Sequence, residues 1–269
     1  MAHDTSLDSV LDLVEFWQAT DPTSPRLTWY GPDGERVELS GRVLANWVIK
    51  ATNLLTEDAV AGPGVVVGVE LPVHWRGLVW SLAALRAGAA VALGDGNGTD
   101  PVPRADGAGP EADTVVTDRP AGAHGRVRAG GAVIAVALPA LARSFDGPLG
   151  SGVIDGAADL MTYPDVLTML PDVDPEAPAV EDATHAGLLA WARRTAADAA
   201  RPGTGRPPSK DSTGSTATAP RVLVAAADPR LALATALAVW AERGSVVLVG
   251  EPRSEADLAH LAQVEAVTA

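Results

Sequence analysis

The sequence predicts an α/β protein of three layers: a mostly parallel sheet flanked by helices, with an N-terminal β-hairpin and a partial second βα subdomain. Three observations carry this prediction. Val65–Leu71 and Ala89–Leu93 are apolar, largely β-branched runs, the pattern of strands covered on both faces. A helical segment, 74–87, lies between them, so strand, helix and strand follow within one βαβ unit. After the acidic, proline-bearing stretch Pro171–Pro178 the same alternation returns.

Each element follows from local pattern. Leu7, Val10, Leu11, Val14 and Trp17 fall at helical spacing, and the prolines at 22 and 25 stop that first helix. Arg26–Tyr30 and Glu35–Ser40 read as two strands around Gly31-Pro32-Asp33-Gly34, a turn in which proline presets φ and glycine permits positive φ. Ser40 is the expected N-cap of a helix whose apolar face is Leu44, Trp47, Val48, Ala51, Leu54 and Leu55. Gly88 is the expected stop of the 74–87 helix. Thr114–Thr117 and Ala132–Leu138 read as further strands, whereas 94–112 reads as a surface loop and 143–175 shows little periodicity. Beyond the boundary, His185–Ala200 reads as a helix, Arg221–Ala226 as a strand, Arg230–Arg243 as a helix and Ser245–Val249 as a strand. Ser254 caps a last helix. The expected organisation is a first subdomain over 1–172 and a second over 173–269, the latter interrupted by a flexible, low-complexity loop at 201–220. No internal repeat at a fixed period is visible.

Composition excludes several classes. Of 269 residues 47% are hydrophobic, ample for a core. The 34 acidic residues outnumber the 20 basic ones, giving a net charge of −14, which argues against nucleic acid and against an anionic membrane surface as partner. With no cysteine there is no disulfide framework, thiolate metal site or cysteine nucleophile. Asp4, Asp8, Asp12 and Glu15 interrupt the N-terminal apolar residues, so a secretory signal is not expected, and no run approaches the roughly 18 apolar residues of a membrane span. A cytoplasmic location is the expectation.

The chemical motifs are few. Gly94-Asp95-Gly96-Asn97-Gly98 follows a strand but lacks the third glycine and the helix of a dinucleotide fingerprint. The stretch from Gly203 to Lys210 has no glycine before its lysine, and Asp211 stands where a Walker loop needs Ser or Thr. Ser212, Thr213, Gly214, Ser215 and Thr216 form the one string able to cradle phosphates through hydroxyls and backbone N–H groups. Its low-complexity setting favours a linker. The histidines show no metal-ligand spacing, and His74 and His185, near predicted helix starts, read as surface or capping residues. No carboxylate pair stands out as catalytic. Trp17, Trp47 and Trp80 read as core.

The order of these segments resembles that of a known family. LTWYGPDGERVELSGRVLANWVIKATNLL (27–55) and then GPGVVVGVELPVHWRGLVWSLAALRAGAAVALGD (62–95) resemble the opening of adenylate-forming enzymes: acyl-CoA synthetases, luciferases and peptide-synthetase adenylation domains. PEAPAV (175–180) is similar to the text before that family's phosphate loop, and AVWAERGSVVLV (238–249) and SEADLAHLAQVEAVT (254–268) to later segments. In particular the chain looks like a group of short actinobacterial proteins that correspond to the first half of such an enzyme. The resemblance implies ATP binding by a TSGTTGxPKG-like loop directly after 175–180. Glu181-Asp182-Ala183-Thr184 stands there instead, and carboxylates repel a triphosphate. The family's aromatic-Gly-x-Thr-Glu loop and catalytic lysine have no match, so no catalytic residue carries over. The expectation is therefore a non-catalytic, truncated relative with no cofactor and no metal, acting on a protein partner or a second copy through the surface the catalytic half would cover. The alternative is a ligase-like enzyme that binds ATP and Mg, or an acyl-adenylate, through the displaced Ser212–Thr216 string, completed by another chain.

Overall fold

The computed structural model describes residues 7–94, 112–169, 172–200 and 219–268. Helix α1 (Val10–Glu15) starts at Ser9, whose hydroxyl accepts from the Asp12 amide, and runs on into one π-helical turn, Phe16–Thr20. Leu7, Val10, Val14 and Trp17 are buried as the spacing predicts; Leu11, one step round the helix, is 38% exposed. Strands β1 (Pro25–Tyr30) and β2 (Arg36–Ser40) form the expected hairpin around the 3-10 turn Pro32–Gly34. Ser40 then caps α2 (Gly41–Glu57), accepting from the Val43 amide at 3.4 Å.

The βαβ unit is β3 (Val66–Glu70), α3 (Trp75–Arg86) and β4 (Ala90–Leu93), with β3 and β4 parallel. Gly88 follows α3 at φ 82, a left-handed cap that glycine reaches at little cost. Strands β5 (Ala112–Thr117) and β6 (Val127–Ala135) begin earlier than the expected 114 and 132, and β6 stops at 135 rather than 138. Their pairing slips between Ala112 and Thr114, a bulge that the alternation of side chains conceals. The stretch without periodicity holds the three-residue strand β7 (Val153–Asp155). Next come β8 (Pro178–Val180), β9 (Ala183–Thr184), α4 (Leu188–Ala199), β10 (Arg221–Val224), α5 (Pro229–Ala241), β11 (Ser245–Val249) and α6 (Glu255–Val264). Strands β8 and β9 are too short to leave a sequence pattern.

There are two sheets. One runs β7-β6-β5-β3-β4-β8-β9, the other β10-β11-β1-β2, and pairing is parallel except in the hairpins β1–β2 and β8–β9. Helix α3 packs on β3 and β4, α5 on β10 and β11, and the two helices meet at the seam. Both are buried over most of their surface, as helices lying between two sheets must be. The core continues through α2 and the first helix, where Trp17 meets Trp240 edge to face with centroids 5.2 Å apart.

The strand order discloses a recurrence. Hairpin, helix, strand, helix, strand occurs as β1-β2-α2-β3-α3-β4 and again as β8-β9-α4-β10-α5-β11. The hairpins are exchanged: β1 pairs in parallel with β11, and β8 pairs in parallel with β4. Each half thus completes the sheet of the other. Because the offset between counterparts differs from part to part, no fixed period marks the duplication in the sequence.

Candidate functional site

The place to test for chemistry is the turn after β8, where the family resemblance sets a phosphate loop. Val180 pairs with Ala183, so Glu181 and Asp182 alone make the connection to β9. Glu181 sits at φ 53, as tight hairpin turns require of one residue. Its carboxylate is engaged on both oxygens. Arg230 Nε donates to Oε1 and Arg230 Nη2 to Oε2 at 2.9 Å, while Trp191 Nε1 donates to Oε2 at 3.0 Å. The guanidinium also lies 5.9 Å from the Trp191 ring centroid. The bidentate bond from Arg230 holds the Glu181 carboxyl below its ordinary range, with burial opposing and Trp191 assisting. Arg230 is raised for the reciprocal reason.

Of the nearby helix starts, that of α5 has a side-chain cap and that of α4 has none. Asp228 caps α5 by accepting from the Arg230 amide at 2.8 Å, which puts a negative charge where an anion would bind. Before α4, the Gly187 amide donates to Thr184 Oγ1 at 3.2 Å. The local set is therefore a closed carboxylate–guanidinium–indole cluster. Among the described residues, the guanidinium bonded to this turn is that of Arg230, and it is engaged with Glu181.

The duplicated fold contains a counterpart. In the first half Arg76, second residue of α3, lies 5.2 Å from the Trp47 ring on α2 and 4.4 Å from Trp75, with Glu35 of the β1–β2 turn as its electrostatic partner. Its Nη2 donates to the carbonyls of Pro139 and Ala140, both at 3.3 Å. Arg76 is 3% exposed and burial lowers its pKa to about 10, Glu35 opposing. Helix α3 is capped by His74, whose Nδ1 accepts from the Arg76 amide at 3.1 Å. His74 thus caps as expected but is buried, not a surface residue. Burial, with the Arg76 charge, takes its pKa down to about 3. His185 is likewise buried, not on the surface, and its pKa is lowered by that burial.

At the seam, Leu71, Val73, His74, Ser81, Leu93 and Leu233 line an apolar cavity of about 10 Å³, the room one water molecule needs. Among the described residues no three His, Asp or Glu side chains are placed to hold a metal ion, and no helix is long and apolar enough to cross a membrane. Ser212, Thr213, Gly214, Ser215 and Thr216 lie outside the described residues, as do residues 95–98 of the glycine string. Arg230 and Trp191 were not readable as a pair, because their residue types are ordinary at a helix start and on a buried helix face. The signal available was the pairing of an arginine at the second helical position with a tryptophan on the preceding helix, once in each half.

Comparison with known proteins bears on the fold. No family model matches the chain. An acyl-CoA synthetase from Brucella canis superposes with a TM-score of 0.65 at 18% identity, over 98% of this chain and 47% of that one. The anthranilate CoA ligase AuaEII, in complex with anthranoyl-AMP, gives 0.63 at 13% identity, over 93% and 46%. The amide bond synthetase McbA from Marinactinospora thermotolerans gives 0.60 at 18%, over 97% and 48%. A protein of Mycobacterium tuberculosis is 49% identical over 57 residues, 21% of this chain and 24% of that protein. The chain has the α/β fold of the N-terminal part of adenylate-forming enzymes and spans less than half the length of these solved structures.

Proposed function

We propose that this chain is a non-catalytic module of the adenylate-forming fold, working by binding a protein partner or a second copy of itself rather than by activating a carboxylate with ATP. One observation carries the reading. Where the resemblance calls for a hydroxyl-rich phosphate loop, β8 passes to β9 through Glu181 and Asp182 alone, and the adjacent Arg230 is spent on Glu181. Placing a triphosphate there would set two carboxylates against it and break a bidentate ion pair.

The test is thermal unfolding of the purified chain with and without millimolar Mg-ATP, AMP or an acyl-adenylate mimic. No shift is expected. A ligand at about 100 Kd would add roughly 2.7 kcal/mol and raise Tm by roughly 5–10 °C. A rise of that size, removed by Ser215→Ala with Thr216→Ala, would replace this reading with nucleotide binding through the 212–216 string. A mass that stays strictly monomeric over a wide concentration range would remove the second copy as partner.

A further inference from the structure

The outer face of the four-stranded sheet carries α6, a helix poorly seated by apolar contact. Of its ten residues only Leu261 is buried, and Val264 is 62% exposed. Leu261 joins Val247 and Val249 in a small cluster, with Tyr30, Leu223, Leu258 and Val267 partly buried against it, separate from the main core. Ordering a helix of this length against so little apolar area needs another source of stability.

Arg253 Nη2 ties the start of α6 to the Gly31 carbonyl at 3.3 Å, and beyond its end the Thr268 amide donates to the Arg221 carbonyl at 2.9 Å, but the densest set of bonds converges on one carboxylate. Glu265, at the C-cap of α6, has a side chain only 7% exposed. Its oxygens accept from Tyr30 Oη, from Arg36 Nε at 3.1 Å and from Arg221 Nη2, and Arg36 Nη2 forms an ion pair with Oε1 at 3.0 Å. Arg221 Nε also donates to the Glu265 carbonyl at 2.7 Å, and its Nη2 reaches Thr28 Oγ1 at 3.0 Å. The donors stand on β1, β2 and β10 and belong to the sheet, whereas the carboxylate belongs to the helix. Helix α6 ends through Ala266 at φ 50, a left-handed conformation that costs a non-glycine residue and persists only where its surroundings hold it.

We propose that Tyr30, Arg36, Arg221 and Thr28 form a carboxylate-binding basket that the chain fills with its own Glu265, so that α6 is a removable cover over a partner site. The partner it fits is an acidic amphipathic helix with an apolar residue four positions before a glutamate, the spacing of Leu261 and Glu265. Charge supports this choice. With α6 in place, Arg36 and Arg221 are balanced by Glu265 and by Glu38, which accepts from Arg36 Nη2 at 2.7 Å. With α6 displaced the basket carries a net positive charge on a strongly acidic protein, a contrast that steers an acidic ligand to it. The other groups facing the carboxylate are the Tyr30 hydroxyl and, through Arg221 Nη1 at 3.0 Å, Ser245 Oγ, neither charged at neutral pH. Burial opposes ionisation of Glu265, but the donors outweigh it and hold its pKa below the ordinary value. Exchange of one carboxylate for another, not mild acid, is therefore what opens the site. This deepens the partner-module reading, and its first measurement is independent of nucleotide binding.

Hydrogen exchange of the full chain, wild type against Glu265→Gln, is the test, followed by binding of a labelled peptide of residues 254–268. The substitution should speed exchange of the α6 amides about tenfold or more while β1, β3 and β11 stay protected, because it removes charge-assisted hydrogen bonds and nothing in the core. The peptide should bind the Glu265→Gln chain. Its affinity should fall about tenfold or more when its own glutamate becomes glutamine, or when the chain also carries Arg221→Met. Three results would overturn the proposal: α6 as protected in the variant as in wild type, faster exchange across both sheets together, or a peptide that binds neither chain.

Discussion

Arg76 and Arg230 occupy matching positions in the two halves yet differ in what they cost. Arg76 is buried between two indoles, with two carbonyl acceptors and Glu35 nearby, whereas Arg230 is 43% exposed by side chain. Removing a buried cation leaves its acceptors unmet, and removing an exposed one loses little. Arg76→Met should therefore lower unfolding free energy by about 2–4 kcal/mol and Arg230→Met by under about 1 kcal/mol, both read from urea titrations. His74 gives a pH dependence of definite sign. Its folded pKa, about 3, lies below the ordinary 6.5, so between these values the unfolded chain binds a proton that the folded chain refuses. Stability should fall as pH drops below about 6.5, by about 1.4 kcal/mol per unit from this residue. His74→Asn keeps an N-cap and removes the titration, so its urea midpoint should change less between pH 7 and pH 4.5 than that of wild type.

Helices were the most legible elements because capping and apolar period agree with the folded state. Ser40 and Ser254 cap α2 and α6 as the sequence predicts, and Ser40→Ala should cost about 1 kcal/mol by chemical denaturation. The βαβ strands were legible for a related reason, since strands covered on both faces must be apolar throughout. Strands β7, β8 and β9 were not, since two or three residues cannot show a period. The same brevity hid the site: that Val180 turns straight back to Ala183 is a fact of pairing, and that Glu181 meets Arg230 depends on α5 lying beside that turn. The serine–threonine string at 212–216 drew notice through composition, and composition does not record where a segment lies.

The molecule as a whole is bound together by its exchanged hairpins. Since β1 and β2 complete the sheet of β10 and β11 while β8 and β9 extend that of β3 and β4, neither half has its full sheet without the other. Calorimetry should give one transition with equal van't Hoff and calorimetric enthalpies, and separately expressed 1–172 and 173–269 pieces should each lack cooperative unfolding. Two transitions, or a cooperative 1–172 piece, would contradict this. The exchange was invisible along the chain because both hairpins are continuous with the helices of their own half and pair elsewhere. It also has a consequence for how the protein is made. Leu27 aligns with Val246 and Tyr30 with Val249, so β1 waits for a strand 219 residues further along the chain. Until β11 is made, that edge of β1 has no parallel partner, and assembly depends on closing a long loop. Slow refolding is the expected outcome of so non-local a pairing, and stopped-flow refolding of the purified chain is the measurement that checks it.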